Sequence, residues 1–322
     1  MPHIFRLQFA LTFATILFLL TVSSLSAAAK EVDLFAPPEG CALAKSSPAG
    51  PDGLNLYSMT SNDARWYIAQ WVTPGDFGPF VRSVGPGGGK IYTAQGPGGW
   101  IKVEQGAEGY SYTLTQSGAS LACTGGGKPL EYDLLISTNG RSVTPHMPAA
   151  ALIPPDSAPL SHMRSLTQIV NVRVIRAGPA AMNKHCDVNQ GGAFFAVVLR
   201  NSTRKQTLFY KMSISTLCGP GPNQAECRKR SGIAYFYFRK NPFGYVDFIS
   251  AHGQAMLTAG HKGTIKFDML PRLTSLIRSG DNGIDQDLAH WVVDGAYFGS
   301  HVFGNVLYQT HWSGYHLIAD LP

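Results

Sequence analysis

The stretch GKIYTAQGPGGWIKVEQGAEGYSYTLTQ, Gly89 to Gln116, decides the fold class. Three strand-length runs, GKIYTAQ, GWIKVEQ and YSYTLTQ, are rich in Tyr, Thr, Val and Ile and alternate in polarity. That is the pattern of a strand with two unlike faces. Glycine-rich separators supply the turn chemistry between them. Working outward, ARWYIAQWV and LEYDLLIS extend the series on either side. After a long gap come QIVNVRVIR, GAFFAVVLRN, TLFYKMSIS, IAYFYFRK, YVDFIS and TIKFDML. HWVVDGAYF, SHVF, VLYQTHW and YHLIADL close it. One short helix is expected in LPRLTSLIRSG, where Leu270, Leu273, Leu276 and Ile277 share a face and Gly280 ends it.

Many short strands with glycine turns imply an all-β protein of sandwich or barrel type. Composition agrees. Charged residues are 14% of the chain, against 35 glycines, 21 prolines and abundant aromatics, and a hydrophobic content of 44% is ample for a core. The segment from Thr138 to His162 is dense in Pro, Ala and Ser and lacks alternation, so it reads as a linker. The expected organisation is two β-sandwich or jelly-roll-like modules, residues 30–140 and 163–322, joined by residues 141–162. One large continuous sandwich is the alternative.

The first 29 residues read as a signal peptide. Arg6 precedes the apolar run FALTFATILFLLTV, and small residues up to Ala29 suit cleavage. The run is short for a retained membrane span, so a secreted or periplasmic protein is expected. In an oxidising compartment the cysteines favour disulfides. Cys218 with Cys227 and Cys41 with Cys123 are the expected pairs, leaving Cys186 free between His185 and Asp187.

Candidate ligand-binding residues are aromatics beside amides. Trp66, Gln70 and Trp71 lie in ARWYIAQWV, and Trp100 shares a strand face with Lys102 and Glu104. A flat ring meets the apolar face of a sugar while an amide meets its hydroxyls. HWSGYH, His311 to His316, is nearly palindromic around the turn dipeptide Ser313-Gly314. It reads as a hairpin tip presenting Trp312 and Tyr315 or, alternatively, as a strand running straight through with Trp312 and His316 on one face, and His311, Tyr315 and His316 are candidate catalytic groups. SGDNGIDQD offers Asp281, Asp285 and Asp287 as a Ca²⁺ candidate, although the spacing is not that of an EF-hand and no cofactor is required.

LEYDLLIS places Glu131 and Asp133 on one face. It resembles the E-x-D-x-x-E strand of the laminarinase-like β-jelly-roll glycosidases over a few residues. Ile136 stands where that pattern has its third carboxylate, so the resemblance is not carried over. The two acids are expected on a solvated strand face.

The formal net charge of +6, with basic pairs such as Arg204-Lys205 and Arg239-Lys240, is modest for an exported protein. It disfavours nucleic acid and suits a polysaccharide, an anionic one included. The functional expectation is a secreted carbohydrate-binding β-sandwich protein. The alternative is a polysaccharide lyase or glycoside hydrolase of the same architecture acting on an acidic glycan.

Overall fold

A computed structural model describes residues 30–34, 44–46, 55–58, 66–71, 77–78, 80–106, 109–123, 131–138, 158–182, 186–219, 224–225, 236–241, 244–250 and 257–322. The proposed signal peptide and most of the Pro/Ala-rich segment lie outside them. The strands, in chain order, begin with β1 (Lys30–Asp33), β2 (Ala44–Ser46), β3 (Asn55–Ser58), β4 (Trp66–Trp71) and β5 (Val81–Val84). Then come β6 (Lys90–Gly96), β7 (Gly99–Gly106), β8 (Gly109–Ser117), β9 (Glu131–Thr138) and β10 (Ser165–Pro179). β11 (Gln190–Asn201), β12 (Gln206–Cys218), β13 (Phe236–Asn241), β14 (Gly244–Ser250) and β15 (Lys262–Asp268) precede helix α1 (Leu270–Ser279). β16 (Trp291–Phe303) and β17 (Val306–Leu321) finish the chain. Among the described residues no helix is long and apolar enough to cross a membrane.

These strands form an all-β sandwich of two sheets. An eight-stranded sheet runs β15-β10-β17-β8-β7-β6-β5, with β1 pairing the far end of β17. A nine-stranded sheet runs β13-β14-β12-β11-β16-β9-β4-β3-β2. The expected two modules give way here to the single continuous sandwich. β8, from before the Pro/Ala-rich segment, pairs with β17 from after it, and β9 pairs with β16 in the other sheet. Both halves of the chain therefore contribute to both sheets and to one core. The end of the supposed linker is itself packed, with Leu160 buried at the start of a single 3-10 turn.

The two sheets differ in how their faces are covered. In β10, residues Leu166, Gln168, Val170, Val172 and Val174 are buried while the residues between them are more exposed. β17 alternates in the same way. That is a sheet with one face on the core and the other in water. In β11, by contrast, every residue from Gly191 to Leu199 is buried, and in β16 every residue from Val293 to Ser300. Along β11 and β16 the nine-stranded sheet is shielded on both faces.

The sheets are locked together by aromatic rings. Phe298 of β16 stacks on Tyr315 at a centroid distance of 5.2 Å, tilts against Trp312 at 5.1 Å and meets Tyr112 edge-on at 5.8 Å. Trp312 is fully buried, and its indole N–H donates to Thr310 Oγ1 at 2.8 Å. Two polar bonds also cross between sheets: Tyr308 donates its hydroxyl to Ser215 Oγ, and Gln116 donates its amide to the carbonyl of Tyr132. The expected hairpin tip at HWSGYH is thus corrected. β17 runs unbroken through it, and Ser313-Gly314 forms a bulge. The register with β10 slips between Ile169↔His316 and Asn171↔Ser313, and Gly314 takes φ +56°. A Cβ at Gly314 would also press on the amide of Asn171. The extra residue brings Tyr315, three positions after Trp312, back to the core face.

The disulfide pairing is corrected too. Cys123 bonds Cys186, so Cys41 cannot hold Cys123 and Cys186 is not free. The sandwich brings the end of β8 beside the start of β11. There Asn189 donates to the carbonyl of Cys186 and accepts from the backbone N–H of Asn305 in the β16–β17 turn. Cys218 is also disulfide-bonded, and Cys41 and Cys227 lie outside the described residues. Peptide mapping without reductant should recover a Cys123–Cys186 peptide. Replacing the pair with Ser should cost about 2–5 kcal/mol of stability, since the bond closes a long loop. A Cys41–Cys123 peptide would contradict this topology. For the aromatic lock, Trp312→Ala should cost about 3–5 kcal/mol in denaturant unfolding; a loss below about 1 kcal/mol would mean that Trp312 is not packed between the sheets.

Candidate active site

A polar cluster stands on the face of the nine-stranded sheet turned away from the inter-sheet core. In β9, Tyr132, Leu134 and Ile136 join the core, which leaves Glu131 and Asp133 on the other side. In β16, Phe298 and Val302 face the core and His301 and Phe303 face outward. Antiparallel register sets His301 directly opposite Asp133 and Phe303 opposite Glu131. On the far side His301 pairs with Gly192 of β11. A Cβ at Gly192 would come within 2.9 Å of His301 Nε2, so glycine makes room for the imidazole. Phe194 completes the frame, its ring centroid 5.4 Å from that of His301; Phe303 lies at the same distance, edge-on. Lys211 of β12 carries its ammonium 5.3 Å from the centroid of Phe194 and 5.5 Å from that of Tyr297.

Apolar neighbours dominate the electrostatics. Phe194, Tyr297, Leu135, Ala196 and Val198 lie outside the inter-sheet core and are nevertheless buried. Burial pushes the Asp133 carboxyl up to about 7, the charge of Glu131 adds to the rise, and the Lys211 ammonium opposes it. Burial also raises Glu131, again against Lys211. His301 is pushed the other way, down to about 4, by burial and then by the like charge of Lys211. Near neutral pH the imidazole is therefore uncharged, and the two acids share the proton inventory of a coupled pair. Both carboxylates keep partial exposure. Among the described residues Asp133 Oδ1 and His301 Nε2 have no hydrogen-bond partner and no solvent contact. Two such atoms stand on directly opposed residues, and a buried polar group without a partner calls for an explanation.

The solvated-face expectation for Glu131 and Asp133 is therefore corrected: they stand in a shielded cluster whose other members, His301 and Lys211, had not been singled out. The remaining candidates fall elsewhere. β4 is placed by its backbone register, with Trp66 opposite Thr138, Gln70 opposite Leu134 and Trp71 opposite Asp133. Trp100 is half-buried on the outer face of the eight-stranded sheet, where Lys102 and Glu104 form an ion pair of 2.8 Å. Trp312 and Tyr315 belong to the core, and burial raises the Tyr315 phenol far beyond any role as a base. His311 bonds Thr113 Oγ1, and His316 bonds Asp33 at 2.6 Å. Both histidines belong to the eight-stranded sheet, and the backbone of Gln70 to the nine-stranded one.

The calcium candidates make bonds of their own. Asp285 accepts from Asn201 and lies 2.7 Å from His290 Nδ1, bonds that hold its carboxyl below the usual range. Asp287 caps the following 3-10 turn through the N–H of Ala289, and Asp281 is exposed. Among the described residues no group of three or more His, Cys, Asp or Glu could hold a metal ion.

No protein-family model and no curated protein matches this chain. Solved structures to which it is similar include a family 12 xyloglucanase from Bacillus licheniformis, at 10% identity and a TM-score of 0.43, covering 76% of this chain and 98% of that one. A family 11 xylanase from Neocallimastix patriciarum aligns at 7% identity and a TM-score of 0.41, covering 79% and 99% respectively. Endoglucanase 3 of family GH12 from Trichoderma harzianum gives 10% identity and a TM-score of 0.34, covering 75% and 97%. At such low identity the chemistry has to be read from the residues themselves.

A stability measurement checks the electrostatics. An acid whose folded pKa is raised from 3.8 to about 7 weakens the fold progressively as pH rises between those values, because the unfolded chain ionises first. Asp133→Asn should therefore gain melting temperature over the unmodified protein, and the gain should grow from pH 4 to pH 7. A difference that does not change with pH would place Asp133 in water.

Proposed function

We propose that this is an exported protein that binds a polysaccharide and cleaves its glycosidic bonds on the outer face of the nine-stranded sheet. The reading is carried by the juxtaposition of Glu131, Asp133 and His301 within a frame of aromatic rings. Glycoside cleavage needs one carboxyl still protonated near neutral pH and a second carried as the anion. Asp133 is the acid: its proton goes to the leaving oxygen. Glu131, nearer the edge of the cluster and less raised by its surroundings, takes a proton from the water whose oxygen bonds the anomeric carbon as the glycosidic bond breaks. His301 is neutral and positions a sugar hydroxyl. Phe194 and Phe303 offer flat faces to a pyranose. Trp71, opposite Asp133 in the register, is the member of the ARWYIAQWV set assigned to this site.

The paired acids disfavour a uronate-bearing substrate, so the glycan at this site is neutral. Export is supported by the Cys123–Cys186 bond, which belongs to an oxidising compartment.

The test is product release from a panel of neutral polysaccharides, followed by reducing-end formation. Asp133→Asn and Glu131→Gln should each lower kcat/KM by about 10²-fold or more. Activity should fall as pH rises through about 7, where Asp133 loses its proton. If the unmodified protein retains a glycan with no turnover, and both variants retain it equally, the site is a binding surface without chemistry.

A further inference from the structure

A second feature lies on the other sheet and is untouched by that mechanism. The bulge in β17 coincides with a break in pairing. β8 accompanies β17 only as far as Trp312↔Tyr112, and β1 takes up the same edge only from Ile318. Between them a groove of about 510 Å³ opens, bounded by Ser313 and Gly314, the Gly85–Gly89 turn and the β7–β8 hairpin. Its size suits a ligand of several rings.

The lining is evenly divided between polar and apolar surface and nearly free of net charge. Asn171, Gln105, Ser111 and Ser313 supply amides and hydroxyls, and Tyr110 supplies a half-buried ring. Glu104 is the charged residue among those lining it, and Lys102 neutralises it through their ion pair. The Thr264 hydroxyl donates to Asn171 Oδ1, which leaves the amide nitrogen over Gly314 as a donor toward the groove. The same strand face continues along β7 from Glu104 past Lys102 to Trp100, a distance of about 13 Å at strand rise. Trp100 is the aromatic on this outer face, whereas Tyr110 packs against the core beneath the groove. The hydroxyls and amides of Ser111, Ser313 and Asn171, with the neutralised Lys102–Glu104 pair, match a chain of linked sugars better than an anion. Polar edges meet hydroxyls, and rings meet the apolar faces of pyranoses.

We infer that this groove is a second glycan-binding site, which holds a neutral linear polysaccharide on the face opposite the catalytic cluster. The inference shares the proposed substrate class but uses none of the catalytic residues.

The experiment is calorimetric titration of the Glu131→Gln/Asp133→Asn double variant of the mature chain, so that turnover is removed. Cellohexaose, xylohexaose and, as the anionic control, an oligogalacturonate of similar length are the titrants. Saturable binding of a neutral hexasaccharide is expected. It should weaken at least tenfold when Ser313→Trp or Ser111→Trp fills the groove from an outward strand position, with melting temperature unchanged. Turnover of a short soluble substrate by Ser313→Trp in the otherwise unmodified chain should stay within twofold. Neutral binding that ignores both tryptophan variants, no binding of either neutral hexasaccharide, or a preference for oligogalacturonate would each overturn the inference. Binding sensitive to Ser313→Trp in a protein with no turnover would leave this site standing and remove the catalytic reading instead.

Discussion

The structure depends on one ring being held by three others. Phe298 comes from the nine-stranded sheet; Tyr112, Trp312 and Tyr315 come from the eight-stranded sheet, and all three touch it. Each such pair contributes about 0.5–1.5 kcal/mol beyond the burial of its area. The geometry is demanding because Trp312 and Tyr315 are three apart in one strand, and a regular strand would send them to opposite faces. The Gly314 bulge resolves that conflict. In doing so it parts β17 from β8 and leaves the groove beside Asn171. A packing requirement in the core thereby shapes a recess on the surface.

The nine-stranded sheet poses the opposite problem. Along β11 and β16 its second face is covered, so any polar group there loses water without a core of its own to compensate. Lys211, Asp133 and His301 are nonetheless placed together on it. Burial raises one acid, depresses one base and leaves atoms of both without hydrogen-bond partners among the described residues. An apolar trio of similar volume would hold this face more firmly. Perturbed ionisable groups gathered in one place are the ground on which the site is proposed.

Much of the fold was legible in the sequence because alternation is local. QIVNVRVIR and YHLIADL read as half-exposed strands and are half-exposed strands; LPRLTSLIRSG gives a helix, closed by Gly280 in the left-handed region. Pairing is not local. Nothing within YSYTLTQ says that its partner is VLYQTHW nearly two hundred residues later, so the two-module expectation and the Cys41–Cys123 pairing failed together. Ser313-Gly314 failed for a subtler reason: the same dipeptide serves a turn or a bulge, and only the need to bury both Trp312 and Tyr315 chooses between them. The site was partly within reach. Uninterrupted apolar runs such as GAFFAVVL mark doubly buried strands, and a lone Lys211 in TLFYKMSIS or His301 in GSHVF is out of place there. Those two residues, more than the exposed-looking tryptophans, carried the signal.

The direction in which each group of the cluster shifts follows from its burial and from the charge of Lys211. Lys211 lies near enough to both acids to lower them and near enough to His301 to lower it as well, so its charge acts on the three groups with one sign. For the histidine, burial and the ammonium work together, and the ring is neutral above about pH 4. For the acids they oppose each other, and burial wins at Asp133 because it is the more enclosed of the pair and because Glu131 repels its ionisation. Between about pH 4 and 7 the cluster can therefore hold a neutral imidazole, a protonated Asp133 and an ammonium at the same time. That combination offers a proton donor beside an uncharged hydrogen-bonding ring, with the cation held over the neighbouring aromatics. Removing Lys211 would raise both acids further and shift the balance toward two neutral carboxyls. The ammonium over Phe194 and Tyr297 thus opposes the rise of both acids, although it stands three strands away from them, across β11 and β16.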